Sequence, residues 1–221
     1  MPAAFDDTAA YLDANYLTMA GLAEASGLSP SRLEALIAGG CLPAHSHEAV
    51  FSLRVETRIN GSHPTEDKVV RYYHPDLAEL AVEADRLASE LGLDAASAAL
   101  RARHDAAVAG AAGLAAGSAA HRELADRTWA TWRDGTYGVC LQRVSTADMV
   151  QKVLATRQME AILAAPQARA PDAATLEALD EALQRYAEVT GPFGPQERDG
   201  STRARVYEPA LALRRSRSAA A

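Results

Sequence analysis

The residues best suited to chemistry lie near the carboxyl end of the chain, in the run PFGPQERDGSTRARVY. There Glu197 is followed closely by Arg198, Arg203 and Arg205. A guanidinium group can bind a carboxylate or a phosphate through two parallel hydrogen bonds. The three arginines are therefore predicted to bind an anionic substrate group, and Glu197 is a candidate for proton transfer. Apolar residues interleave with the charges, which favours a segment docked on the protein body; a disordered, solubilising tail is the alternative.

A second candidate segment, DGTYGVC (134–140), precedes a helix that Ser145 or Thr146 can cap. Its two glycines allow a tight turn, and Tyr137 and Cys140 bring a phenol and a thiol. Tyr137 could transfer protons and Cys140 could act as a nucleophile, although no histidine adjacent in sequence would activate the thiol. A purely structural turn is the simpler interpretation of this segment. If this turn meets the arginines, a polar anion-binding pocket forms between the helical domain and the C-terminal segment.

Cys41, His45 and His47 form a possible metal-ligating group. A thiolate and imidazoles bind zinc, and two histidines at i and i+2 of a strand point to the same face. His63 or His74 could supply a fourth ligand. The spacing matches no standard zinc motif, however, and solvated loop histidines beside a small apolar cysteine are the simpler interpretation. The sequence therefore predicts no metal site, with these three residues as the weaker alternative.

The amino-terminal residues 1–74 carry the signals of a small mixed module. Thr18 and Ser29 are suitable N-caps for two successive helices. Apolar and polar residues alternate over 50–59, which predicts a half-buried strand, and residues 68–73 are typical of the returning strand of a hairpin. Two helices followed by a hairpin predict a winged helix-turn-helix-like module.

The two helices lie in the run YLTMAGLAEASGLSPSRLEALIAGGCLP (16–43), which resembles the first helices of MerR-type and excisionase-like regulators. That resemblance implies DNA binding. The local charge argues against it, because Arg32 is the only basic side chain among residues 1–44 and the balance there is −4. DNA-binding proteins draw much of their affinity from neutralising phosphates. The hairpin strands add basic residues, namely Arg54, Arg58, Lys68 and Arg71.

Residues 75–191 show a helical pattern and are predicted to form a helical domain. Alanine, which has the highest helix propensity, supplies 50 residues of the chain. Residues 192–221 are predicted to be an Arg-rich C-terminal segment, partly docked and partly disordered. The expected fold class is therefore mainly α: a winged helix-turn-helix-like module with a β-hairpin, followed by a helical bundle.

Composition limits the partners and the location. The net charge of −7 disfavours nucleic acid and other polyanions as partners. Two cysteines about a hundred residues apart imply no disulfide framework and favour a reducing compartment. The sequence shows neither a signal peptide nor an apolar run of roughly 20 residues. We therefore expect a cytoplasmic protein that does not associate with membranes.

Three runs give a resemblance that spans most of the chain: YLTMAGLAEASGL, WRDGTYGVCLQRVSTADMVQK and PFGPQERDGSTRARV. Together they are similar to an uncharacterised bacterial family labelled natural product biosynthesis protein, a domain of unknown function found beside secondary-metabolite genes. In that family a tyrosine-bearing polar segment follows the position of Pro43, so His45 and His47 are departures. The resemblance implies a role in making a small molecule and supplies no reaction, cofactor or catalytic residue.

The leading hypothesis is an accessory or catalytic protein of a small-molecule biosynthetic pathway, with a small-molecule or carrier-bound anionic substrate. Whether it is an enzyme and which cofactor it uses stay open. The first alternative is a MerR-like DNA-binding transcriptional regulator. The second is a structural partner of another pathway protein, which could bind the apolar stripe from Leu176 to Tyr186 if that stripe is exposed.

Overall fold

The structure, a computed structural model, describes residues 5–59, 61–64, 67–165 and 171–218. It is mainly helical with a small three-stranded antiparallel sheet, which confirms the predicted mainly α class. Within those ranges no helix is long and apolar enough to cross a membrane. Residues 219–221, the end of the segment predicted to be partly disordered, lie outside the described residues.

The amino-terminal part alternates helices and strands, and capping residues set where its helices begin. Thr18 Oγ1 accepts a hydrogen bond from the Gly21 amide, and Ser29 Oγ accepts one from the Arg32 amide. Both predicted N-caps are therefore confirmed. The elements are α1 (Phe5–Asn15), β1 (Leu17–Thr18), α2 (Met19–Ser26), α3 (Pro30–Ala38), β2 (His47–Phe51), β3 (Arg54–Thr57), β4 (Gly61–Pro64) and β5 (Lys68–Tyr73).

β5 is the central strand of the sheet, antiparallel to β1 on one side and to β2 on the other. β3 and β4 pair with each other in a separate ladder. The predicted continuous strand over 50–59 is wrong, because the chain leaves the sheet after Phe51 and pairs again only from Arg54. Leu53 and Ile59 are 62% and 91% exposed. These two apolar side chains therefore extend into solvent instead of covering the core.

Helices dominate the rest of the chain. They are α4 (Leu77–Leu91), α5 (Leu93–Ala112), α6 (Ala119–Arg133), α7 (Thr136–Cys140), α8 (Thr146–Ala164), α9 (Ala173–Val189) and α10 (Glu208–Ser218), with a π-helical turn (Arg203–Tyr207) before α10. The side chains of Ser118 and Ser145 accept hydrogen bonds from backbone amides in the first turns of α6 and α8. These caps fix the starts of both helices.

Two segments that the sequence did not mark as helical are helical in the structure. Residues 134–140, expected as a turn, contain α7, and the segment expected to be partly disordered contains the π-helical turn and α10. The reason in the second case is tertiary packing, because Val206 and Ala210 are buried against Tyr186 of α9. Most helical stability in proteins comes from such packing and not from local propensity.

One apolar core joins the amino-terminal elements to the helical part. Leu22 of α2 and Leu33 and Leu36 of α3 belong to the same cluster as Leu77 of α4 and Met149 of α8. Each of these side chains is at most 1% exposed. Because burying one such side chain contributes about 2 kcal/mol, the two parts of the chain stabilise each other.

The apolar stripe of α9 lies inside a second core. Leu179, Leu183 and Tyr186 pack with Met159 of α8 and Val206 of the π-helical turn. The chain itself therefore covers this stripe, which does not form the exposed surface that binding to a partner protein would need.

A close backbone contact joins segment 44–46 to the corner between α6 and α7. The Ala44 amide donates a hydrogen bond to the Arg133 carbonyl oxygen at 2.9 Å. Gly135 has a φ of +84°, and a Cβ atom there would lie 2.7 Å from the Ala44 carbonyl oxygen and closer still to that of His45. Glycine is required here for both conformation and space. The contact fixes the start of β2 relative to α7.

Candidate functional site

A cavity of about 520 Å³, here called the C-terminal cavity, lies in the segment that follows α9. Its lining includes Phe193, Arg198, Asp199, Ser201, Arg203 and Glu208. Two of the three arginines predicted to bind an anion, Arg198 and Arg203, therefore lie on one cavity. Arg205 is exposed and lies outside this lining. The volume is in the range of small-molecule binding sites.

A tight turn builds the polar wall of the C-terminal cavity. The Ser201 side chain is buried; its hydroxyl donates to the Arg198 carbonyl oxygen at 2.8 Å and accepts from the Ala204 amide at 3.1 Å. The Tyr186 hydroxyl lies 2.9 Å from Thr202 Oγ1. Burial raises the pKa of Tyr186 to about 12, so its phenol stays neutral. These hydrogen bonds shape the turn and hold it on α9.

The C-terminal cavity carries charges of both signs. Arg203 Nε lies 3.4 Å from Glu208 Oε1, and Arg203 Cζ lies 5.2 Å from the centre of the Tyr207 ring. Arg198 is exposed, and Asp199 adds a second carboxylate. Two guanidinium groups and two carboxylates thus face one cavity. Such a lining suits a ligand that has both an anionic group and a hydrogen-bond donor.

Tyr137 and Cys140 lie on α7 in the protein interior, where each is 4% exposed. Lys152 of α8 donates a hydrogen bond from Nζ to Cys140 Sγ at 2.6 Å, and this Nζ lies 6.0 Å from the centre of the Tyr137 ring. Burial raises the pKa of the Cys140 thiol, with the Lys152 ammonium opposing the shift, and burial also raises the pKa of Tyr137. Neither residue lines the C-terminal cavity. The structure therefore does not bring these two residues together with the arginines.

Lys152 is the member of this interior group that is not among the site residues predicted from the sequence. It is one of two lysines in a chain with 20 arginines. It is 9% exposed, on a helix that also buries Met149 and Val153. A lysine among the apolar positions of a helix is the signal that would have revealed it, since lysine is rarely buried without a partner.

Glu197 pairs with a histidine of β2, and its charge adds to the effect of burial in raising the pKa of Cys140. His47 Nδ1 is 3.0 Å from Glu197 Oε1, and Glu197 Oε2 accepts a hydrogen bond from the Gly194 amide at 3.0 Å. The sequence indicates His47 only as a possible zinc ligand and Glu197 only as a proton-transfer group. The two residues are far apart in the chain, so no local pattern connects them.

The residues considered as zinc ligands have other partners. Cys41 is buried and donates from Sγ to a backbone carbonyl oxygen at 3.4 Å, and His45 Nε2 lies 3.7 Å from Glu48. His74 Nδ1 accepts a hydrogen bond from a backbone amide. The side chain of His63 lies outside the described residues. Among the described residues, no three His, Cys, Asp or Glu side chains are grouped so that they could hold a metal ion.

Residues 93–212, more than half of the chain, match the model of a family described as Family of unknown function (DUF6058). The chain belongs to this family. No curated protein and no solved structure gives a significant match. The DUF6058 range contains the whole lining of the C-terminal cavity as well as Cys140 and Lys152.

The DUF6058 match begins at α5, so the amino-terminal elements precede it. Two of their basic residues, Arg32 and Arg71, are engaged in ion pairs, whereas Arg58 and Lys68 are exposed. Arg32 Nε lies 2.6 Å from Asp85 Oδ1, which ties α3 to α4, and Arg71 Nε lies 3.0 Å from Glu48 Oε2. Glu34 is among the exposed residues of α3. Helix α3 therefore presents little positive charge, because its one arginine is paired and Glu34 is exposed.

Proposed function

We propose that the protein acts in a small-molecule biosynthetic pathway, as an accessory protein or an enzyme, and binds an anionic small-molecule or carrier-bound substrate in the C-terminal cavity. The observation that carries this proposal is the position of Arg198 and Arg203 on one cavity of about 520 Å³. The resemblance of three sequence runs to natural product biosynthesis proteins supports the pathway. Two free cysteines suit a cytoplasmic location, because the cytoplasm keeps thiols reduced.

The charges of the C-terminal cavity define the class of ligand. Arg203 lies beside Glu208 and against the Tyr207 ring, and exposed Arg198 can turn towards a carboxylate or a phosphate. The carboxylates of Asp199 and Glu208 can accept hydrogen bonds from an amino or hydroxyl group. Phe193 adds an apolar wall. A ligand of amino-acid type, with an anionic group next to a hydrogen-bond donor, meets these requirements.

Replacing either Arg198 or Arg203 by alanine is expected to weaken the binding of such a ligand about tenfold, because a charge-assisted hydrogen bond contributes about 1.5 kcal/mol or more. Isothermal titration calorimetry with a panel that includes phosphoserine, glycine and inorganic phosphate measures the effect. Arg205→Ala is the matched control, since it removes the same charge from outside the cavity lining and should leave the affinity unchanged. The proposal would be contradicted if Arg198→Ala, Arg203→Ala and Arg205→Ala all bound the ligand with equal affinity. It would also be contradicted if the wild-type protein bound no member of the panel.

A DNA-binding regulator is the second candidate, and one topological observation favours it. The order α1, β1, α2, α3, β2, hairpin, β5, with sheet order β1-β5-β2, is typical of a winged helix. In such modules the helix that corresponds to α3 enters the major groove. Here Arg32, the basic residue of α3, is paired with Asp85, and Glu34 is exposed. The electrostatics therefore favour the first candidate.

In a gel-shift assay with duplex DNA, the purified protein is expected to show no retention at 150 mM salt. The reason is that α3 lacks the unpaired basic residues needed to neutralise phosphates. The same assay at 50 mM salt tests for a weak, electrostatic interaction. Retention of a defined duplex that falls steeply between the two salt concentrations would favour the regulator instead.

A further inference from the structure

Lys152 of α8 and Cys140 of α7 form a buried pair outside the C-terminal cavity. Lys152 Nζ lies 2.6 Å from Cys140 Sγ, and the two residues are 9% and 4% exposed. They are 12 positions apart in the chain, so the contact joins two consecutive helices. The centre of the Tyr137 ring lies 6.0 Å from the lysine nitrogen. An amine and a thiol thus meet in the protein interior, at a place that the proposed function does not involve.

The distance between the nitrogen and the sulfur is shorter than a hydrogen bond to sulfur. A hydrogen bond from nitrogen to oxygen measures about 2.9 Å, and one to the larger sulfur atom should be longer still. Two single bonds of about 1.5 Å that meet at an angle of about 110° hold their outer atoms about 2.5 Å apart. The observed 2.6 Å therefore matches the separation of a nitrogen and a sulfur that are both bonded to one oxygen atom.

The surroundings of Lys152 favour a reaction that removes its charge. Among the described residues no carboxylate pairs with its Nζ, and Asp148, one helical turn earlier, pairs with Arg143 instead. A buried ammonium without a carboxylate is unfavourable, because nothing compensates for its lost hydration. Burial raises the pKa of the Cys140 thiol, and the Lys152 ammonium opposes this shift. Lys152 therefore promotes the thiolate, which is the form that oxidants attack.

We propose that Cys140 and Lys152 are a covalent modification site, at which hydrogen peroxide joins Sγ to Nζ through one oxygen atom. In the first step one peroxide oxidises the thiol; the S–H bond breaks, an S–O bond forms, and sulfenic acid and one water result. Lysine then releases its extra proton to water and reacts as the amine with a second peroxide. One N–H bond and the sulfenic O–H bond break, an N–O bond forms, and the peroxide takes up two electrons and two protons to become two waters. The product has gained one oxygen and lost two hydrogen atoms, about 14 Da in total.

Burial determines which oxidation products can form at Cys140. Hydrogen peroxide is small and can reach the interior through local opening of the structure, whereas a thiol that is 4% exposed is poorly accessible to a tripeptide such as glutathione. The other cysteine, Cys41, donates from Sγ to the Leu93 carbonyl oxygen. The other lysine, Lys68, is exposed on β5. The chain therefore supplies a matched control for each partner.

The test is peptide mass spectrometry of the full chain after exposure to hydrogen peroxide and digestion with trypsin in the absence of thiols. Cleavage after the flanking arginines releases residues 134–143 and 144–157 as separate peptides. The bridge should join them, protect Lys152 from cleavage, and add about 14 Da to the sum of their masses. Dithiothreitol should separate them again. Oxidation of Met149 adds a further oxygen and joins no peptides.

Cys140→Ser and Lys152→Arg should both abolish the joined pair, because a guanidinium group keeps its charge and cannot react as an amine. Cys41→Ser and Lys68→Arg should each yield as much of the pair as the wild type. The proposal is overturned if the wild type yields no joined pair, if Cys140 is oxidised only to sulfinic or sulfonic acid, or if the pair persists in Lys152→Arg. The wild-type digest is decisive by itself, so a variant that does not fold leaves the test intact.

Discussion

Replacing Gly135 by alanine is expected to lower the free energy of unfolding by about 4 kcal/mol. Two costs add up. The φ of +84° is unfavourable for a residue with a Cβ atom, by about 1 kcal/mol. In addition, the new methyl group would press on the backbone carbonyl groups of Ala44 and His45. Backbone groups cannot rotate away as a side chain can, so segment 44–46 must move, at a cost of about 3 kcal/mol.

Gly113→Ala supplies the matched control for this prediction. Its φ is +62°, and no atom lies within 4 Å of the position that a Cβ would take. The substitution therefore carries the conformational cost alone, about 1 kcal/mol. Urea unfolding of both variants, followed by circular dichroism, measures the two free energies. If both variants are destabilised equally, segment 44–46 does not rest on the corner between α6 and α7.

Acidification from pH 6.5 to pH 4 is expected to lower the free energy of unfolding by about 3 kcal/mol through His104 alone. This side chain is 5% exposed, and burial, with a smaller contribution from Arg101, lowers its pKa from 6.5 to about 4. On acidification the unfolded chain takes up the proton first, so protonation favours unfolding across this range. Well above pH 6.5 the ring is neutral in both states, and the effect disappears.

Two threonines explain why the folded state retains the neutral ring of His104. Thr128 Oγ1 donates to the Leu124 carbonyl oxygen at 2.8 Å, so it accepts from His104 Nε2, which also lies 2.8 Å away. His104 Nδ1 is then left to accept a hydrogen bond from Thr146 Oγ1 at 3.1 Å. The neutral ring thus bridges α5, α6 and α8.

His104→Gln provides the test, because it removes the titrating group from this position. Urea unfolding at a series of pH values should show that the variant loses about 3 kcal/mol less stability than the wild type between pH 6.5 and pH 4. Above pH 7 the two curves should run parallel. Curves that stay parallel down to pH 4 would show that His104 does not titrate as described.

The sequence predicted helix starts well because capping depends on neighbouring residues. Thr18, Ser29 and Ser145 each accept a hydrogen bond from an amide three residues ahead, and this spacing is readable in the sequence. The C-terminal helices could not be predicted in this way. They depend on the contact of Val206 with Tyr186, two residues from different elements.

The candidate site shows the same difference between contacts within one short segment and contacts between distant segments. Arg198 and Arg203 lie within one short turn, so their shared cavity follows from local spacing. The pairing of His47 with Glu197 joins β2 to the turn after α9 and is visible only in three dimensions. Lys152 shows an intermediate case, because its charge among apolar positions is readable in the sequence while its partner Cys140 is not.

Glu197 and Arg198 are adjacent in the chain yet make different contacts, since Glu197 pairs with His47 of β2 and Arg198 lines the C-terminal cavity. The Tyr186 hydroxyl of α9 lies beside Thr202 of the same segment. The wall of the cavity is therefore anchored both to the amino-terminal sheet and to α9, and its geometry depends on residues from both ends of the chain.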